Sequence, residues 1–435
     1  MMRNYRSSIS LFFLSAALIA LSLMLPACSS GTKEDKAEFT HLAPTPRAEI
    51  LRILDRIEVR PDEEKINREK GRALASLVPR CRDVENQPGY KEYNSATWSK
   101  FRRRRTSGNC EDARARVLIA QSADSVEFTA DSPLGKNCIV KSGEWIDYFS
   151  VGEPKVKKAD DILVTPIVPV ENAHLSGAWR WPDSVKYQYL NDTQDPGHLI
   201  LMTRSQFSSR KGKGPESFMP ENKEYQCEYL GRWLETKSKW GLCMTDSEES
   251  FVTQMRQTCI DGYKRDSYQH WTDDDDDCLD KRAETLIKDR IRGSKLEVEF
   301  KTRGCSVTAG EWYDWYSFDE ETKKPPIIND PKKIDVDHIV PLSNAHLSGA
   351  WAWSKRKKQE YANKIDSALP HLIAVSQKEN RSKGAKSPDQ YMPENKSFQC
   401  KYIELWTRIK RKWDLSMSST EKVFIGTELS RCLAN

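Results

Sequence analysis

Little in this 435-residue chain is in excess, and each shortfall closes off a class. Net charge is only +5, from 69 Lys and Arg against 64 Asp and Glu. That excludes a histone-like polycation, so any nucleic-acid contact must come from local patches. Twenty Gly and 21 Pro are too few for a collagen-like chain. After Leu25 no run of 18 consecutive apolar residues occurs, so that part of the chain holds no membrane-spanning candidate. No base-reading module is recognisable either. What is present argues for packed cores: 38% apolar residues and 13 Trp exclude a disordered chain. At roughly 150 residues per domain the length suggests two or three domains. Eleven cysteines is an odd number.

Arg3 and Arg6 form a basic start, Ile9 to Leu25 an apolar run of 17 residues, and Leu25-Pro26-Ala27-Cys28 a small-residue ending. That order describes an export signal over residues 1–27; the other reading is a membrane anchor, at the lower edge of spanning length. The ending resembles the bacterial lipobox, which implies that the Cys28 thiol takes a diacylglycerol and holds the chain at a membrane surface. The expectation is an exported, envelope-located, lipid-anchored chain, with plain secretion as the alternative. Ten cysteines then remain, an even count that reads as a disulfide framework outside the cytoplasm. Residues 28–46 are a polar tether, and 47–88 a lead-in with a short amphipathic helix (Ile50, Leu51, Ile53, Leu54, Ile57, Val59).

The remainder is written twice. "GYKEYNSATW" at Gly89 returns as "GYKRDSYQHW" at Gly262, "ENAHLSGAWRW" at Glu171 as "SNAHLSGAWAW" at Ser343, and "FMPENKEYQCEY" at Phe218 as "YMPENKSFQCKY" at Tyr391. The copies span 89–259 and 262–435, a duplicated domain rather than a short-period array. Six Trp pairs match: 98/271, 145/312, 179/351, 181/353, 233/406 and 240/413. Paired large aromatics read as packing residues. Cys110, Cys138, Cys227 and Cys259 match Cys278, Cys305, Cys400 and Cys432, with Cys81 and Cys243 as a fifth pair. Four cysteines per copy allow three connectivities; the expectation is Cys227–Cys259 and Cys400–Cys432, stapling a C-terminal helical hairpin.

The copies part company at a few positions. His174 matches His346 and His198 matches His371, which marks scaffold, but His338 has no partner. In "IDVDHIVPL" against "ILVTPIVPV", Asp337 faces Thr165 and His338 faces Pro166; downstream, Asn380 faces Phe207, Arg381 faces Ser208 and Lys383 faces Arg210. A carboxylate and an amide oxygen are hard ligands suited to Mg²⁺ or Mn²⁺, and a neutral imidazole beside them is a general base. "IDVDHIV" and "HLIAVS" read as paired strands. Ser376 with Glu379 is a capping box opening a helix, preserved as Thr203 with Gln206.

These residues resemble the HNH (ββα-metal) endonuclease superfamily, and more closely the secreted HNH family related to the C-terminal nuclease part of GmrSD-type restriction enzymes. "DVDHIVPL", "NAHLSGAWAW", "HLIAVS", "NRSKG" and "MPEN" carry the resemblance. It implies an α+β fold: two tandem HNH-like domains, each a ββα-metal core in mainly helical surroundings. It also implies His338 as base, Asp337 and Asn380 as ligands of one divalent cation, and Arg381 and Lys383 as phosphate contacts or helix supports. His371 is read as a supporting residue behind the site. The expected activity is hydrolysis of DNA phosphodiester bonds in the second copy, with RNA left open as substrate and the first copy inert. The alternative is a non-catalytic envelope lipoprotein that binds nucleic acid or a protein.

Two charge runs have two readings each. Asp273, Asp275 and Asp277 with Glu284 echo a calcium loop, but Cys278 stands where its Gly belongs, so a solvated helix start is the simpler reading. Arg102–Arg105 is a solvated loop or a phosphate-binding patch.

Overall fold

The computed structural model describes residues 47–60, 78–81, 86–99, 112–129, 139–300 and 304–434. The export signal, tether, Cys28, Arg102–Arg105, Cys110 and Cys138 lie outside the described residues.

Helix α1 (Arg47–Asp55) leads. The first half continues with α2 (Ser95–Ser99), α3 (Ala113–Ala120), β1 (Glu127–Phe128), β2 (Val140–Ile146), β3 (Lys155–Lys158) and β4 (Ile162–Pro166). Next come α4 (Val170–Leu175), α5 (Asp183–Asn191), β5 (Leu199–Thr203), α6 (Arg204–Arg210), α7 (Lys223–Lys239) and α8 (Asp246–Asp261). The second half follows that order from α9 (Lys281–Asp289) and β6 (Glu297–Phe300), with β7 (Cys305–Ala309) and β8 (Trp312–Tyr313) where the first has β2 alone, then β9 (Ile327–Ile328) and β10 (Ile334–His338). It ends with α10 (Leu342–Leu347), α11 (Lys355–Ala362), β11 (Leu372–Ser376), α12 (Gln377–Lys383), α13 (Lys396–Lys412) and α14 (Ser419–Ala434). This is the expected α+β mixture of helices and small antiparallel sheets. No helix among the described residues is long and apolar enough to cross a membrane.

The site-bearing unit is the same hairpin and helix in both halves. Strands β4 and β5 pair antiparallel with Ile162 opposite Thr203 and Pro166 opposite Leu199. Strands β10 and β11 repeat that register, with Ile334 opposite Ser376 and His338 opposite Leu372. Thr203 makes the full capping box with Gln206 at the start of α6. At α12 only half of it forms: Ser376 accepts from Glu379 N, and the Glu379 carboxylate instead accepts from the Tyr391 hydroxyl at 2.9 Å.

Each half closes with a helical hairpin. In α13 the apolar residues Phe398, Tyr402, Leu405, Trp406 and Ile409 recur at helical spacing and are buried. Asn395 caps its N-terminus, and Lys410, Arg411 and Lys412 complement the dipole of its last turn. Disulfides Cys227–Cys259 and Cys400–Cys432 tie α7 to α8 and α13 to α14, as expected. Cys81–Cys243 and Cys278–Cys305 are also bonded.

Trp145 and Trp312 hold equivalent buried places, donating to Leu118 O and Leu286 O. Gly143 and Gly310 lie beneath those rings; a Cβ at Gly143 would come within 2.8 Å of Trp145. The Trp98/Trp271 pair departs from the expectation of shared packing roles. Trp98 is buried in the first core and donates to His174 Nδ1 at 3.2 Å. In the second half Tyr268 fills that place, its hydroxyl 3.3 Å from His346 Nδ1, and Trp271 lies elsewhere. His174 and His346 themselves play matching parts, each donating Nε2–H to a backbone carbonyl, of Lys91 and Cys259 respectively.

Candidate active site

Strand β10 alternates its side chains between two faces. Asp335 and Asp337 meet α12, while His338 turns to the opposite face with Ile334 and Val336. The structure therefore does not stack Asp337 and His338 side by side.

On the α12 face, Asp337 is fully enclosed. Lys383 Nζ lies 3.0 and 2.9 Å from its two oxygens, and Tyr316 Oη donates to it at 2.7 Å. Burial pushes the Asp337 carboxyl up, and the adjacent Lys383 ammonium pulls it back. Lys383 has no exposed side-chain surface and also donates to His338 O at 2.9 Å. It supports the hairpin from inside, one of the two roles its position allowed. Asn380 falls in the middle of α12, where its amide donates to Asp335 Oδ2 at 3.0 Å. Asn380 is thus brought to Asp335 rather than to Asp337. The Asp335 side chain is 26% exposed, and Arg381 approaches it at 4.0 Å from solvent.

On the other face, His338 is 5% exposed. Its Nε2 donates to Ala362 O at 2.8 Å, at the C-terminal end of α11. That bond fixes the tautomer and leaves Nδ1 as the proton acceptor. Burial, with Arg265, Lys383 and His270 acting in the same direction, holds the imidazole down to about 3, so it is neutral at neutral pH. The Trp271 ring covers it at 5.6 Å with 32° between planes. His371 lies behind, accepting from Trp413 Nε1 at 3.3 Å and packed on Tyr361, and burial holds it too down to about 3.

A cation would find a fitting donor set in Asp335 and Asn380. A carboxylate and a carboxamide stand side by side, partly open to solvent, with the amide nitrogen turned to Asp335; the carboxylate and the amide oxygen are hard ligands. Asp337 shares their strand face, but its charge is already matched by Lys383. Elsewhere, Asp273, Asp275 and Asp277 are exposed with oxygens within 4.8 Å of one another. Two of them cap the loop's own backbone, at Cys278 N and Leu279 N.

The first half shows the same frame without this set. Arg210 takes the place of Lys383, fully buried, and donates to Ile167 O, Pro166 O and Thr165 Oγ1. Where Asp337 is missing, carbonyls and a hydroxyl receive the cation. Reading the histidines and the DH motif alone missed four partners: Asp335 faces Leu163, Tyr316 faces Phe149, Arg265 faces Glu92 and His270 faces Thr97. The same comparison of copies, carried over every polar position, would have found them.

Residues 279–425 match the family described as GmrSD restriction endonucleases, C-terminal domain. An uncharacterized secreted protein of Arthroderma benhamiae is 34% identical over 183 residues, 42% of this chain and 82% of the relative. No solved structure matches. The chain belongs to the family of proteins built on the C-terminal domain of GmrSD restriction endonucleases.

Proposed function

We propose that this chain is an exported, cation-dependent endonuclease of the HNH type that hydrolyses DNA phosphodiester bonds with its second half. One observation carries the reading. On an identical hairpin-and-helix frame, the second half holds Asp335, Asp337, His338 and Asn380 where the first holds Leu163, Thr165, Pro166 and Phe207. Loss of a whole polar set from a retained scaffold is what separation of chemistry from folding looks like.

His338 would accept the proton of the attacking water at Nδ1, with Nε2–H held by Ala362 O. Asp335 and Asn380 would hold one Mg²⁺ or Mn²⁺, with Asp337 next along the same strand face. Such a cation, when bound, neutralises charge that builds on the phosphate and its leaving oxygen. Arg381, exposed at the mouth of this pair, would meet the nucleic-acid backbone. The family match, the "secreted" label of the relative and the disulfide set support export and nuclease activity; the Leu25-to-Cys28 pattern supports lipid attachment at Cys28.

The purified full chain should nick supercoiled plasmid with Mg²⁺ or Mn²⁺ and stop on adding EDTA. His338→Ala should lower the rate by about a hundredfold or more, the range of a lost general base. A variant that cuts as fast as the parent would refute the assignment. A parent that binds DNA yet cleaves nothing would favour the non-catalytic envelope protein.

A further inference from the structure

The segment between Arg265 and Trp271 is rebuilt in the second half. Tyr268, aligned with Ser95, takes over the core place that Trp98 holds in the first half. Trp271 is thereby released from that core. The chain reaches its new course through Gln269 and Trp271, at φ of 42° and 65°, a left-handed backbone that bulky side chains avoid. The outcome is a stack directed at the candidate base. Trp271 lies on His338, His270 meets the edge of Trp271 at 5.4 Å, and Arg265 Nε donates to His270 Nε2 at 3.3 Å.

Arg265 is exposed, and among the described residues no carboxylate forms an ion pair with it. Its charge nonetheless reaches His338, where it opposes protonation more than any other charged group. The first half carries Glu92 and Thr97 at these two positions. So the copy that lacks the polar set also has a negative charge where the other has its guanidinium. An exposed guanidinium with spare donors, seated by an imidazole that reaches His338 through the Trp271 ring, suits a phosphodiester oxygen. Strain held in Gln269 and Trp271 is spent on creating that seat.

We propose that Arg265, positioned by His270, is the phosphate anchor of the second-half site and binds the nucleic-acid backbone on the His338 side. This rests on the nuclease reading above, and it adds a substrate contact from outside the hairpin-and-helix unit.

Binding of a fluorescein-labelled duplex DNA oligonucleotide, followed by anisotropy in EDTA across a salt series, tests it without cleavage. Arg265→Glu should weaken binding about tenfold or more and reduce the log–log salt slope by about one. Arg265→Lys should restore most of the affinity, and His270→Thr should fall between. Because Arg265 is exposed, thermal unfolding of these variants should match the parent, which separates a contact from a folding defect. Unchanged affinity and slope in Arg265→Glu, or no DNA binding by the parent, would overturn the proposal. Plasmid nicking with Mg²⁺ separates the two ideas. A parent that nicks while Arg265→Glu binds and nicks normally leaves the nuclease standing without this anchor. A parent that never nicks but shows Arg265-dependent binding leaves the anchor without the nuclease.

Discussion

Asp337 and Lys383 form a buried ion pair whose two members depend on each other, and the first half displays its replacement. A lone buried carboxylate is costly, and removing one partner of such a pair typically loses about 3–5 kcal/mol. Lys383→Met should therefore destabilise the chain by about that amount in urea unfolding. The set Asp337→Thr, Tyr316→Phe and Lys383→Arg reproduces Thr165, Phe149 and Arg210 and should recover most of the loss while abolishing cleavage. If the triple variant is no more stable than Lys383→Met, the pair is not what the first half has replaced. The positions at which the two copies differ were readable from the residues, because a duplicated chain marks what one copy has lost. The partners were not. Whether Asn380 meets Asp335 or Asp337 depends on where α12 starts relative to β11, and residue spacing alone leaves both within reach.

At the scale of elements, hairpin, capped helix and stapled helical pair were all legible, since each is set by local pattern: β-branched alternation, a cap three residues before its partner, and cysteines near helix ends. Cys400–Cys432 closes a separation of 32 residues between α13 and α14, and its loss should cost about 2–4 kcal/mol. Cys400→Ser with Cys432→Ser should lower the unfolding midpoint while leaving Cys227–Cys259 intact, as non-reducing peptide mapping would show. An unchanged midpoint would mean the hairpin is held by its Phe398, Tyr402 and Trp406 packing alone. The exchange of Tyr268 for Trp98 was not legible in the same way. Aligned Trp98 and Trp271 look like one role written twice, and only the left-handed backbone at Gln269 and Trp271 sends the second ring to His338. Backbone strain leaves no periodic trace, so pattern reading passes over it.

In the whole molecule the order along the chain is crossed. Helix α1 precedes the first half yet packs on α13 and α14 of the second, with Ile50, Leu54 and Ile57 inside the second core. Met417 N donates to Glu58 O at 2.9 Å and Arg60 N donates to Met417 O. Met244 N and Cys81 N make the matching pair of bonds with Pro79 O and Met244 O in the first half. Each half thus receives one strand-like segment from the lead-in, and the earlier segment goes to the later half. Trp351 and Ala352 extend in turn into the first core, with Gly231 leaving room for Ala352. Lys355, at the start of the helix whose last carbonyls hold His338, pairs with Glu153 and Glu224 of the first half at 2.9 and 3.0 Å. The first half is accordingly a brace for the helix that holds His338. If the lead-in belongs energetically to the second half, Leu54→Ala should cost about 2–5 kcal/mol, as buried Leu truncations do. Hydrogen exchange should then show α13 and α14 losing amide protection while α7 and α8 keep theirs. Equal loss in both helical pairs would show that the halves unfold as one unit, with the crossing contacts strong enough to couple them.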